Sequence, residues 1–401
     1  MTKHNTQLHR ELNRPAILTT VNGGIGNRFF HLLTGYYFCH RLNLPLDIYW
    51  ADNSSCEVMW TDILETPSPN FCSIYHDIPS GVFATKENSI DPAGELENQL
   101  FLLPDFSNIQ NDKVANYRAC PGLSKHDRYE RVFGGDDGPS RSADDILNII
   151  NFNLERAGRA IEAGGAASGV LKRIIVWDCN PTVLTEVKNQ IPRDCELANQ
   201  TGGEPYGAKN WSPNYDSNQV IKDFLENVWA IKKDIREEAK RFCEENGING
   251  HSTMGFHFRT ITLGKINMEI AMDEVKKAID TPGVEKIFVC ADDEKIENDL
   301  RKQWPSKIVS YTGKKYMEKL DKDKDWLVSW HPTDGGMTSC YNLTISKQAV
   351  VDAMIDCLIL SQTNMISVQE LQAGRGYSHT GGWAGTFFVM ARCIKEYGKK
   401  L

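Results

Sequence analysis

Arg259 closes the stretch where residue type and spacing most clearly promise chemistry, Thr253-Met254-Gly255-Phe256-His257-Phe258-Arg259. Its side chain is a planar, permanently charged fork of donors, a shape matched to phosphate oxygens. As a β-strand, the stretch sends Met254, Phe256 and Phe258 to one face and Gly255, His257 and Arg259 to the other. In an open parallel sheet, ligands sit beyond the carboxyl ends of the strands, where Arg259 would emerge. A salt bridge would also satisfy an arginine there, and the stretch by itself leaves both readings open.

Two glycine-rich segments offer further anion chemistry. Asn22-Gly23-Gly24-Ile25-Gly26-Asn27 follows an apolar run and precedes a helical pattern. Glycines let the backbone turn sharply, and the amides at a helix start attract anions. A dinucleotide fingerprint would need a third glycine where this chain has Phe29, with Asp47 or Asp52 as its ribose acid. A nicotinamide site and a purely structural turn therefore both stay open. Near the other end, Gly374 to Gly382 leads into Gly385-Thr386-Phe387. Free amides and the Thr386 hydroxyl there make a second phosphate cradle, the alternative being a plain flexible loop.

Asp292-Asp293 and Ser367 close two more strands and could meet Arg259 at one cleft. Asp293 can cap the following helix or accept hydrogen bonds from a nucleobase or ribose. Ser367 can also be an ordinary loop residue. Asp352 and Asp356 form a like-charge i/i+4 pair among apolar residues, which is costly when buried unless partners exist. Asp356 is expected to receive hydrogen bonds from a neighbouring loop and so orient the site. Neither H-E-x-x-H nor a nucleophile elbow is present. Asp321 to Asp325 imitates a calcium loop, but Trp326 stands where glycine belongs and Pro332 where glutamate belongs. It reads as a solvated charged turn.

The elements that must hold these residues alternate. Ala16 to Val21 reads as a strand, a helix begins near Arg28, and Leu46 to Trp50 is a second strand. Between 61 and 215 the signals thin: a short helix at 62–64, strands at 100–103 and 173–177, a helix over 143–162 and a small-residue linker at 163–169. Residues 218–246 read as one amphipathic helix, with Val220, Phe224, Val228, Ile231, Ile235, Ala239 and Phe242 on its apolar side. After the Arg259 strand come helices over 270–280, 293–304, 346–362 and 385–397. They alternate with strands over 286–291, 307–311 and 364–368, and 314–324 is a charged stretch. Such alternation predicts parallel sheets with helices on both faces.

Composition narrows the function classes. The 401 residues exceed one compact core and predict two domains. A formal net charge of −8 leaves no basic surplus for nucleic acid. No apolar run reaches the roughly 20 residues of a membrane span. The polar amino terminus does not read as a signal peptide. Eleven cysteines without a C-x-x-C pair argue against a disulfide frame or zinc site. The expectation is a cytoplasmic protein.

Taken in order, several motifs resemble the fucosyltransferase superfamily of GT-B fold, which includes α1,6-, rhizobial nodulation and protein O-fucosyltransferases. They are Gly24-Ile25-Gly26-Asn27-Arg28, Gly255-Phe256-His257-Phe258-Arg259, Phe288 to Asp293, Asp356 to Ser361 and Thr386-Phe387. Cys56 with Trp60 to Leu64 is similar to an amino-terminal feature of bacterial members, whereas 66–215 match nothing in the family. The resemblance implies two facing Rossmann-like domains, an acceptor-side domain over 1–245 and a nucleotide-sugar domain over 246–401. The last helix would pack back on the first domain.

It also implies an inverting, metal-independent transfer from a GDP-sugar to a glycan, with no cofactor beyond the donor. Arg259 would clamp the β-phosphate beside His257. Asp293 would hold guanine or ribose, and Thr386, Phe387, Ser367 and the Gly24, Gly26, Asn27, Arg28 segment would complete the donor site. Thr260, Ile261 and Thr262 stand where relatives often carry a second Arg and an acid, so GDP-fucose is the leading donor rather than a fixed one. The other readings are an NAD-dependent oxidoreductase and an inactive nucleotide-sugar-binding protein.

Overall fold

The computed structural model describes residues 16–21, 24–42, 46–50, 56–67, 72–75, 99–105, 129–134, 173–176, 217–259, 268–319, 321–322, 327–333, 336–341, 343–368 and 386–399. The expected helix over 143–162, the 163–169 linker and the 369–382 loop lie outside the described residues, as do Asp52 and the side chain of Asp47.

Two parallel sheets organise the chain. The first joins β1 (Ala16–Val21), β2 (Leu46–Trp50), β3 (Cys72–Tyr75), β4 (Gln99–Asp105), β5 (Tyr129–Gly134) and β6 (Arg173–Val176) in the order β3-β2-β1-β6-β4-β5. All its pairings are parallel, and the β4–β5 register shifts at Pro104, which has no N–H to give the ladder. The second sheet uses β7 (Thr253–Phe258), β8 (Lys286–Ala291) and β9 (Ile308–Val309). After an antiparallel hairpin, β10 (Leu327–Thr333) and β11 (Gly336–Tyr341), it adds β12 (Asn364–Ser367). Its order is β12-β7-β8-β9, again all parallel. In the second sheet the strand order reverses once, between β7 and β12; in the first, β2 and β3 lie to one side of β1, and β6, β4 and β5 to the other. Crevices for ligands open at such reversals.

The helices are α1 (Ile25–Leu42), α2 (Trp60–Ile63), α3 (Ser217–Asn227), α4 (Lys233–Asn246), α5 (Met268–Asp280), α6 (Glu294–Gln303), α7 (Lys347–Ser361) and α8 (Thr386–Tyr397). Among the described residues, no helix is long and apolar enough to cross a membrane. The single helix expected over 218–246 is two. At the break the amides of Val228 and Trp229 both donate to the Phe224 carbonyl, and Ile231 pairs with Leu64 in an antiparallel bridge. Trp229 is fully buried, packed edge-on against Phe29 and stacked near Phe224. Burying an indole and pairing two segments outweighs one turn of helical continuity. The 307–311 strand likewise shrinks to two residues, and Ser310 and Lys314 beyond it are buried.

The alternation read for the 253–259 stretch decides how the second sheet is covered. Phe256 and Phe258 pack with Ala271, Val275 and Ala278 of α5 and Leu300 of α6. Gly255 faces α7 instead: a methyl group there would lie 2.0 Å from Thr363 Oγ1 and 2.8 Å from Leu360 Cδ1. On that face Phe288 and Cys290 join a core that runs on through α7 and α8 to Phe29, Leu33, Trp50 and Phe224. One continuous apolar core therefore links the two sheets, with α8 packed against α1, α3 and α7.

Candidate functional site

His257, Ser367 and Cys290 stand abreast at the carboxyl end of the second sheet, His257 pairing in register with the other two. All three are buried. The His257 ring lies beneath two rings of α8, 5.1 Å from Phe387 at 26° and 6.1 Å from Phe388 at 28°. Burial, aided by the positive charges of Arg259 and Lys314, pushes its pKa down to about 3. At neutral pH burial thus keeps it an uncharged plate. Its Nδ1 has no hydrogen-bond partner among the described residues. Arg259 follows one residue past β7 and is half-buried, where its charge bears on the crevice.

The carboxyl end of β1 leads to the amino terminus of α1, which meets the amino terminus of α8. A methyl group on Gly26 would lie 2.5 Å from the Phe387 amide nitrogen and 2.8 Å from Thr386 Oγ1. Only glycine permits that approach. Next to it, Thr386 Oγ1 donates to Asn27 Oδ1 at 2.8 Å. Each helix start carries about half a positive elementary charge and orphan amides. The chain therefore sets two such ends side by side, with Phe387 of the second stacked on His257.

Gly24 sits at the mouth of α1 and its carbonyl accepts from the Arg28 amide at 3.1 Å. Arg28 stands apart from this group. It is fully buried, with its guanidinium 4.6 Å from the Trp50 ring centre and donating to the Cys56 carbonyl at 3.2 Å. Asp293 caps α6, accepting from the Lys295 amide at 2.9 Å, and stays half-buried.

Beneath β8 lies a buried charged cluster. Lys314 Nζ donates to Glu297 Oε1 of α6 and Asp356 Oδ2 of α7, each at 2.5 Å. Glu297 also accepts from the Ala291 amide at 2.7 Å and the Tyr316 hydroxyl at 2.8 Å. Asp352 accepts from the Lys315 amide and from Gln348. Burial pushes the Asp356 carboxyl up to about 7 although Lys314 pulls the other way. Its Oδ1 has no hydrogen-bond partner among the described residues.

Sequence reasoning missed Lys314, Tyr316 and Glu297. Glu297 could have been found, since it shares a helical stripe with Ile296, Leu300 and Trp304, an inward place for a carboxylate. Lys314 gave no signal inside its charged stretch.

No protein-family model and no curated protein matches the chain. Among solved structures, it resembles the NodZ α-1,6-fucosyltransferase soaked with GDP-fucose at 14% identity and a TM-score of 0.42, over 95% of this chain and 92% of that one. It resembles POFUT1 in complex with GDP-fucose at 10% identity and a TM-score of 0.43, over 96% and 95%. A sialyltransferase from Photobacterium damsela follows at 9% identity and a TM-score of 0.29, over 74% and 66%. At that distance the chain's own geometry has to carry the functional argument.

Proposed function

We propose that this chain is an inverting, metal-independent glycosyltransferase of GT-B fold. It would move a sugar, fucose first among candidates, from a GDP-sugar to a glycan. The observation that carries the reading is the meeting of two helix amino termini, one from each sheet's half, at Gly26 and Phe387, with Phe387 stacked on His257 two residues before Arg259. A leaving diphosphate gains negative charge as the C1–O bond breaks, while the acceptor hydroxyl oxygen bonds C1 from the opposite face and gives up its proton to the medium. Donors fixed in advance at that place stabilise the transition state by about 2.7–4 kcal/mol each. Arg259 would take the β-phosphate, the α8 amides and Thr386 the diphosphate, and Asn27 would reach the sugar or phosphate from the other half. His257, flat and uncharged, and Ser367 would line the crevice. Asp293 would hold ribose or guanine from its place at the end of β8. Arg28 would anchor α1 from within, and Asp356 would support the floor.

The geometry weighs against the nicotinamide alternative. In that fingerprint the second glycine clears space for a pyrophosphate. Here the space over Gly26 is filled by Thr386 and Phe387.

Calorimetric titration with GDP, GDP-fucose and NAD, in EDTA, tests the reading on wild type and Arg259→Ala. The expected result is GDP binding weakened by about 2 kcal/mol or more in the variant, as for loss of a charge-assisted contact. Absence of GDP binding, or indifference to Arg259, would overturn the proposal. Sugar transfer without metal would exclude an inactive binding module.

A further inference from the structure

We infer that Lys314 is a positioning residue, a buried ammonium that ties the carboxyl end of β8 to α7 through Glu297 and Asp356. Among the described residues, strand β8 has a neighbour on its β9 side only at Ile287 and Phe288. Beyond that level the Ala291 amide donates to Glu297 Oε1, a side chain, rather than to any described strand. The same oxygen accepts from Lys314, whose other carboxylate partner is on α7. Lys315 adds a second link from the loop to α7 through Asp352, and Tyr316 a second link to Glu297. Three consecutive residues thus brace β8 through side-chain contacts on that side.

What hangs on the tether is the turn Asp292-Asp293, which follows Ala291 directly. Its Asp292 amide donates to the Phe258 carbonyl at 3.2 Å, so β8's end is also coupled to the residue before Arg259. Lys314 side-chain exposure is 3%, so the ammonium touches no surface ligand and acts through its partners. An apolar side chain would fill this space without the cost of desolvating three charges. A charged tether instead fixes one geometry, because each carboxylate must meet the ammonium where it stands. Its effect on GDP rests on the function proposed above; the tether itself does not.

Amide exchange and GDP titration on the full chain test this with Lys314→Met, Lys314→Arg and Lys314→Met combined with Asp356→Asn. Lys314→Met is expected to speed exchange over 286–293 at least tenfold, with α1 unchanged, and to weaken GDP at least tenfold. Lys314→Arg keeps charge and reach and should recover most of both. The double variant removes the unpaired α7 charge, so it should fold even if Lys314→Met does not. It should still show fast exchange at β8 and weak GDP binding, since the tether stays cut. Wild-type exchange over 286–293 in the double variant would overturn the tether. Fast exchange with wild-type GDP affinity would make Lys314 structural only, which overturns the positioning role. If wild type itself ignores GDP, the functional reading falls, and the exchange comparison alone decides the tether.

Discussion

Thr386 donates from Oγ1 to Asn27 Oδ1 across 2.8 Å, although 359 positions separate the two in the chain. Each belongs to the first turn of its helix. The bond therefore joins two helix starts, which is a costly place to put two partial positive charges unless an anion is meant to lie between or beside them.

That contact depends on Gly26. Replacing it by alanine puts a methyl group 2.5 Å from the Phe387 backbone, which must move. Overpacking of this kind costs about 1–3 kcal/mol. Gly26→Ala is expected to lower the urea midpoint accordingly and to weaken GDP as well, since both helix starts shift. Wild-type stability would mean that the helices do not meet as described.

Arg259 should be intolerant of lysine. A single ammonium restores charge but not the fork that grips two oxygens. Arg259→Lys is expected to recover part of the GDP affinity lost in Arg259→Ala, while transfer activity stays well below wild type. Titration and initial rates, read together, check this. Full recovery of rate by lysine would reduce the arginine to a point charge.

Gly255 makes a second close approach. Gly255→Ala would drive a methyl group into Thr363 Oγ1, whose hydrogen bond to the Leu360 carbonyl closes the end of α7. A destabilisation of about 1–3 kcal/mol is expected. Thr363→Ala in the same chain should return part of it, because neighbouring changes couple. Additive losses in the double-variant cycle would refute the contact.

Two buried groups tilt stability with pH in opposite directions. His257 has a folded pKa of about 3, below its ordinary 6.5, so the unfolded chain takes up the proton first. Its contribution is present above pH 6.5 and is lost as pH falls toward 3, by about 1.4 kcal/mol per unit at most. Asp356 has a folded pKa of about 7, above its ordinary 3.8, so the folded chain keeps its proton longer. Its contribution is greatest below 3.8 and is lost as pH rises toward 7. Between pH 4 and 6.5 the slopes offset each other. Asp356→Asn should therefore leave stability rising with pH across that window, and His257→Gln should leave it falling. Urea midpoints at half-unit steps decide, and parallel profiles for the two variants would contradict the assignment.

What the sequence determined by itself were features with a local cause. The β7 alternation put Phe256 and Phe258 on one face and Gly255 and His257 on the other because successive strand residues must point opposite ways. Asp293 caps α6 because a short acceptor before a helical stripe satisfies amides that have no helical partner. Glycine at 24 and 26 marked a helix start, though α1 begins at Ile25, earlier than its apolar stripe suggested.

Tertiary structure decided what depends on partners distant in the chain. Trp229 and the Leu64 bridge broke a helix that periodicity alone would have continued. Gly26 proved to make room for another helix, which no local pattern encodes. Lys314, one lysine in a run of charges, became the buried centre of a cluster because Glu297 and Asp356 arrive from α6 and α7. A charge's meaning is set by what it is desolvated against, and that is known only once the chain has closed around it.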